Sequence, residues 1–189
     1  MANNDYSIPQ LVADLRRISS ETSDEHDILR RVRPLARRAA LSRDLWLEKR
    51  FYAADPEQGF GLHTLHEEAD HSLAIFAVSW LPNRGAPAHN HGTWAVVVGV
   101  DGPEKNVFFE RSDDGRRPGH AELKKIGEKI FDFGDVLAMP TGGLHSIWNE
   151  SATTSVSLHI YGRHLNYTGR LQFDPDKRTE TPFVVKIES

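Results

Sequence analysis

Pro87-Ala-His89-Asn-His91-Gly-Thr-Trp94-Ala-Val-Val-Val-Gly99 is the stretch on which the reading of this chain turns. Its partner is Gly134-Asp-Val-Leu-Ala-Met-Pro140-Thr-Gly142-Gly-Leu-His145-Ser-Ile-Trp-Asn149. In a strand, side chains two residues apart point to the same face. His89 and His91 therefore aim at one point if the stretch is extended, and Trp94, Val96, Val97 and Val98 favour a strand. The pattern predicts one strand over 89–100. His145 stands on another predicted strand, behind Gly142-Gly143, which permit a tight turn and a close approach to a metal. Three neutral imidazoles converging on one point make a site for a first-row divalent metal.

Composition narrows the class. The 189 residues suffice for one domain that buries roughly 70% of its unfolded surface. Hydrophobic content of 39% and charged content of 26% are ordinary for a globular protein. A net charge of −4 argues against a nucleic-acid partner. No apolar run is long enough to span a membrane. Met1-Ala-Asn-Asn-Asp5 is not a basic region leading into an apolar core, so the expectation is a cytoplasmic protein without a signal peptide. The absence of cysteine excludes disulfides and thiolate ligands.

Ser7 and Gln10 form a capping box, with Pro9 in the first turn and Leu11, Val12, Leu15 and Ile18 at helical spacing. A second helix is expected from Asp24, kinked or broken at Pro34. Its arginines, Arg30, Arg31, Arg33, Arg37 and Arg38, read as a solvated face rather than an anion site. A short helix is expected over 41–51. From Phe60 the pattern becomes short β-like runs. Strands are expected over 61–66, 72–81, 105–111, 121–126, 129–133, 136–139, 144–149, 154–161, 165–173 and 183–187. Turns are expected at Asn83-Arg84-Gly85, Asp101-Gly102-Pro103, Asp113-Asp114-Gly115 and Ile126-Gly127-Glu128. Many short strands behind a helical lead predict a mainly β fold, a small barrel or jelly roll. The chain reads as a single domain, 1–58 helical and 59–189 β-barrel.

Ser157-Leu-His159-Ile-Tyr161 alternates with period two, so Ser157, His159 and Tyr161 share a face. Two placements satisfy this. The polar face looks into a barrel lumen, where the three must hydrogen-bond to one another, or it faces solvent. Period two alone leaves both open.

The two histidine stretches resemble the motifs of the cupin superfamily. Gly134, Pro140, Gly142, His145 and Asn149 match every fixed position of the second motif. The first keeps His89, His91 and Gly99 but lacks the glutamate many cupins carry; Ala95 and Val96 stand there. Three histidines without the carboxylate resemble the thiol dioxygenases, the cysteine dioxygenase and 3-mercaptopropionate dioxygenase group. Ser157, His159, Tyr161 and the following Gly162 are similar to that group's Ser-x-His-x-Tyr triad. Arg170 lies eleven residues beyond His159, where the 3-mercaptopropionate enzymes carry a carboxylate-binding arginine; Arg163 is a rival.

The resemblance implies a cupin jelly roll and one Fe(II) on His89, His91 and His145. It implies O2 as co-substrate, catalytic roles for Tyr161, His159 and Ser157, and a small carboxylate-bearing thiol held by Arg170. The product would be a sulfinate. Asn90 replaces a common aspartate, and no cysteine is available to crosslink the tyrosine. The second substrate anchor, near His63, Leu65 and His66, has no clear match. Cysteine, 3-mercaptopropionate and mercaptosuccinate stay open as substrates. Other cupin chemistry (an isomerase or a carbon-oxidising dioxygenase) and a non-catalytic metal- or ligand-binding cupin are the alternatives. His26, His71, His120 and His164 have no motif support. Oligomeric state is not legible.

Overall fold

The computed structural model describes residues 5–188. Two helices lead: α1 (Ile8–Glu21) and α2 (Glu25–Leu41). Ser7 starts α1 through the expected box, its backbone N–H donating to Gln10 Oε1 at 2.8 Å and its side chain accepting from the Gln10 N–H. Such a cap contributes about 1 kcal/mol. Asp24 caps α2, accepting from the Asp27 N–H at 2.7 Å.

Eleven strands follow: β1 (Phe60–Glu67), β2 (Ala74–Trp80), β3 (Arg84–His89), β4 (Ala95–Asp101), β5 (Glu104–Arg111), β6 (Leu123–Phe131), β7 (Val136–Met139), β8 (Leu144–Asn149), β9 (Ser155–Tyr161), β10 (Leu171–Asp174) and β11 (Thr179–Pro182). They form a five-stranded sheet, β1-β2-β9-β4-β7, and a six-stranded sheet, β11-β10-β3-β8-β5-β6. Pairing between these strands is antiparallel throughout. Between β2 and β5 the chain changes sheet at every connection, and again from β6 to β10, the winding of a jelly roll. The fold is a mainly β jelly roll with an N-terminal helical segment.

The helices decide which side of the five-stranded sheet faces inward. Leu11, Leu15, Val32 and Ala36 pack with Val98, Leu158 and Ile160 on its outer side. Full burial of each such aliphatic side chain contributes about 1.5–3 kcal/mol. The inner side, with Phe76, Val78, Trp80 and Tyr161, joins Ala86 and Ile147 of the other sheet in a second core. Every residue of β9 is buried, so Ser157, His159 and Tyr161 face the interior, not solvent.

The elements differ from expectation in five places. Pro34 neither ends nor breaks α2, which runs on to Leu41 because Ala36, Ala39 and Ala40 are all buried beyond the lost hydrogen bond. Two short 3₁₀ turns, 43–45 and 49–52, replace the expected third helix. Of the strand expected over 89–100, only 95–100 lies in β4; His89 instead ends β3 in the other sheet, a strand that begins at Arg84 within the turn expected at 83–85, and Gly92, at φ +64°, takes the chain across. Ile126-Gly127-Glu128 is no turn: β6 is continuous, and the register shift opposite Gly127, between Phe108 and Phe109, absorbs the irregularity. At the C-terminal end, 165–167 is a 3₁₀ turn, the strand starts only at Leu171, and β11 lies at 179–182 rather than 183–187. Of the arginines of α2, Arg30 pairs with Asp27 and Arg31 with Glu21, while Arg37 donates to the Gly134 carbonyl and Arg38 lies over the Tyr6 ring.

Candidate active site

His89 closes β3, His91 lies two residues beyond in the crossover, and His145 sits on β8. The expected i, i+2 strand geometry therefore does not bring His89 and His91 together; the turn at Gly92 and the pairing of His89 with His145 across β3–β8 do. One ligand nitrogen from each histidine lies within 4.8 Å of the others, and all three residues are buried. This is a three-histidine metal-binding site.

The imidazoles are prepared as ligands. His145 Nδ1–H donates to Asn106 Oδ1 at 2.7 Å, and His89 Nδ1–H donates to the Pro87 carbonyl at 2.8 Å. Each bond fixes the tautomer that leaves Nε2 with its lone pair. His91 Nε2 stands 3.2 Å from His145 Nε2, while His91 Nδ1 is buried without a partner. Two nitrogens bound at about 2.0–2.1 Å to one ion lie on the order of 3.0–3.4 Å apart, so this spacing fits a shared cation. Burial, then repulsion from His145, holds His89 and His91 well below the ordinary imidazole pKa; burial, then Arg170, pulls His145 down to about 3. All three are neutral at physiological pH, the state a ligand needs. Among the described residues no carboxylate joins them, and Ala95 and Val96, buried at the start of β4, offer no ligand atom.

The segment carrying His145 is tied to the helices. Glu25, in the first turn of α2, accepts from the Thr141 N–H and from Thr141 Oγ1 at 3.0 Å. The Gly143 N–H closes the turn on the Pro140 carbonyl at 2.8 Å, and a Cβ at Gly143 would meet Met139 Cε at 2.8 Å. Gly142 has open space around it, so no close approach is required there.

Ser157, His159 and Tyr161 form a continuous chain. Ser157 Oγ is 2.7 Å from His159 Nε2, and His159 Nδ1 is 2.6 Å from the Tyr161 hydroxyl. The Tyr161 ring centre is 5.2 Å from that of His91. Burial lowers the His159 pKa to about 3 and pushes the Tyr161 hydroxyl up, so both are neutral. Gly162 follows because the Trp94 indole crosses there: a Cβ would meet Trp94 Nε1 at 2.3 Å.

Arg170 is 4% exposed. Its Nε–H donates to the Phe183 carbonyl at 3.1 Å and its guanidinium lies 4.2 Å from the centre of the Phe183 ring, but Nη2 is buried with no partner. Burial lowers its pKa to about 10. Arg170 shares one chamber with His89, His159 and Tyr161; the remaining walls include Leu62, Val78, Ile147 and Phe183. Arg163 is exposed and bonds the Tyr167 carbonyl instead. His63, which bonds the Ala53 carbonyl, and His66, which bonds Glu68, are structural; β1 contributes Phe60 and Leu62 to the chamber. Buried His164 meets Phe76 edge-on, and His71 stacks on Tyr167 at 3.6 Å.

Sequence reasoning missed two residues. Asn106 orients His145, and Glu104, two residues earlier on β5, is 2% exposed beside Ser157 and Trp80. A signal was present: both are polar at period two in a strand whose ends are marked by turns.

No family model matches the chain. Among solved structures it is similar to oxalate oxidase in complex with the substrate analogue glycolate, at 16% identity over 63% of this chain and 59% of that one, with a TM-score of 0.46. It is also similar to the cupin domain of Schizosaccharomyces pombe Cnp3, at 13% identity, 57% and 63% coverage and TM-score 0.44. Hydroquinone 1,2-dioxygenase from Sphingomonas sp. TTNP3 with 4-hydroxybenzoate bound gives 12% identity, 53% and 64% coverage and TM-score 0.42. The chain spans about three fifths of the length of the oxalate oxidase chains it matches. These are likenesses of fold.

Proposed function

We propose that the protein is a non-haem iron(II) thiol dioxygenase acting on a small carboxylate-bearing thiol. One observation carries the reading: one chamber is lined both by His89 of the three-imidazole site and by the buried guanidinium of Arg170, whose Nη2 has no partner among the described residues. A buried charge left unpaired is costly, and an incoming carboxylate relieves that cost. His89, His91 and His145 would hold the iron. When bound, Fe(II) supplies open coordination positions and the electron transfer needed to join both oxygen atoms of O2 to a thiol sulfur, giving a sulfinate.

The residues of the chain supply binding and orientation. Arg170 takes the carboxylate and so fixes which end of the substrate faces the histidines. The Tyr161 hydroxyl, held by His159 and Ser157, is a positioned donor on the wall beside His91. The apolar wall keeps water from competing. The neutral three-histidine set leaves the charge of a divalent ion uncompensated, which favours an anionic substrate. Beyond the histidines, tyrosine and arginine, the lining holds no carboxylate to pair with an ammonium group. That favours 3-mercaptopropionate over cysteine, and a single guanidinium favours one carboxylate over the two of mercaptosuccinate.

The test is oxygen uptake by anaerobically iron-loaded protein with 3-mercaptopropionate, cysteine, mercaptosuccinate and cysteamine. Stoichiometric uptake with sulfinate from a carboxylate thiol, and failure of cysteamine, is expected. No uptake with any thiol from protein shown to hold iron would move the assignment to other cupin chemistry or to a binding module.

A further inference from the structure

The chain of hydrogen bonds that ends at Tyr161 starts at Ser157, and a buried carboxyl, Glu104, lies beside that start. We propose that Glu104 is its far end, a buried carboxyl that lends a proton to the chamber through Ser157, His159 and Tyr161 and thereby sets the direction in which Tyr161 donates. The inference rests on the reading of Tyr161 as the donor in the proposed oxidation and goes beyond it by adding a residue and a proton path.

Hydrogen-bond counting carries the argument. Ser157 Oγ has one proton to give and two lone pairs. Trp80 Nε1–H donates to it at 3.3 Å, His159 Nε2 is 2.7 Å away, and the buried Glu104 carboxyl lies beside both Ser157 and Trp80. With one lone pair taken by Trp80, Ser157 can donate to only one of His159 and Glu104 and must accept from the other. Neutral Glu104 donates to Ser157, Ser157 donates to His159 Nε2, and His159 Nδ1–H donates to the Tyr161 oxygen. The Tyr161 O–H is then free to point into the chamber. Ionised Glu104 captures the Ser157 proton, His159 donates from Nε2, and Tyr161 must donate to Nδ1. Its hydroxyl can then only accept from the chamber.

The two arrangements differ by one proton, and the transfer balances without any heavy atom moving. The Tyr161 proton leaves to a base in the chamber, the His159 Nδ1 proton passes to Tyr161, the Ser157 proton to His159 Nε2, and the Glu104 proton to Ser157. The negative charge ends on a carboxylate instead of a phenolate. The surroundings of Glu104 suit this use. It is 2% exposed, and its Oε1 has no partner. Facing it are Trp80 from β2, Ser157 from β9, and Phe131 opposite on β6. Tyr161 feels its charge, and Lys129 is spent over the Phe131 ring at 4.7 Å. Lys105 pairs outside with Glu150 at 2.9 Å. No cation therefore holds the carboxyl ionised, and burial pushes its pKa up to about 7. Both forms are accessible near neutral pH.

The experiment is infrared difference titration of the metal-free protein from pH 5 to 9, with Glu104→Gln and Tyr161→Phe as references. The expected result is a protonated-carboxyl band that disappears near neutral pH, is absent in Glu104→Gln, and moves in step with the Tyr161 C–O vibration. Loss of that band at ordinary carboxylate pH, or a Tyr161 vibration indifferent to Glu104, would overturn the proposal. In the iron-loaded enzyme, turnover of the unsubstituted chain should fall about tenfold per pH unit above the Glu104 transition. Glu104→Gln and Glu104→Met should remove that limb and Glu104→Asp should keep it; an unchanged limb in both neutral variants would refute the catalytic link. If the infrared result is as expected and no thiol is oxidised, the relay stands and the thiol assignment falls.

Discussion

Replacing Glu104 by glutamine should make the fold more stable above neutral pH and no more stable below pH 4.5. The carboxyl has an ordinary pKa of 4.5 in the unfolded chain and about 7 in the folded one. Between these values the folded state holds a proton that the unfolded state has released, so stability falls as pH rises. It is fully present below about 4.5 and lost as pH passes through about 7. A difference of about 2.5 units at 1.36 kcal/mol each gives about 3 kcal/mol. Glutamine has the same shape and does not titrate, so it escapes this loss. The assay is urea unfolding of both proteins at half-unit steps from pH 4.5 to 8.5, plotted as the difference. Every other titrating group is common to both and cancels. The difference should climb by about 3 kcal/mol, with its midpoint between pH 5 and 7. A difference flat to within about 0.5 kcal/mol would refute the burial argument for this carboxyl.

Further outcomes follow from other contacts. Tyr161→Phe should retain metal, measured by elemental analysis, yet lower turnover by about 10²-fold or more. Arg170→Met should raise KM for a carboxylate thiol by at least about tenfold, since a buried charge pair is lost, while leaving the response to cysteamine unchanged; equal effects on both thiols would remove Arg170 from substrate binding. Asn106→Ala should weaken metal affinity about 10–100-fold in a competition titration, because His145 loses the acceptor that fixes its tautomer. Gly162→Ala should lower stability measurably in thermal unfolding, because the added Cβ would sit 2.3 Å from the Trp94 indole nitrogen.

Much of this was legible because short-range rules decide it. The Ser7–Gln10 cap, the strands at 136–139 and 144–149, and the alternation of Ser157, His159 and Tyr161 all follow from local spacing. The face on which β9 presents those residues was not local: it depended on α1 and α2 covering the opposite side. The same limit explains His89 and His91. Period two gave a reason for them to converge, but they meet because the chain changes sheets at Gly92, a property of the whole winding. Glu104 and Asn106 escaped notice because their neighbours lie far along the chain: His145 meets Asn106 only once β5 pairs with β8, and Ser157 comes beside Glu104 only when the two sheets pack.

That closure has a thermodynamic side. His89, His145, Asn106 and Glu104 belong to the six-stranded sheet; Trp80, Ser157, His159 and Tyr161 belong to the other; His91 lies on the span between them. An ion gripped by the first set and the crossover therefore works as a rivet across the seam of the sandwich. Its binding adds RT ln(1 + [M]/Kd) to stability, about 2.7 kcal/mol when the free ion stands at about 100 times its Kd. Resistance to heat and occupancy by metal become one measurable quantity, and the melting temperature of the protein serves as a gauge of how well any candidate ion fits.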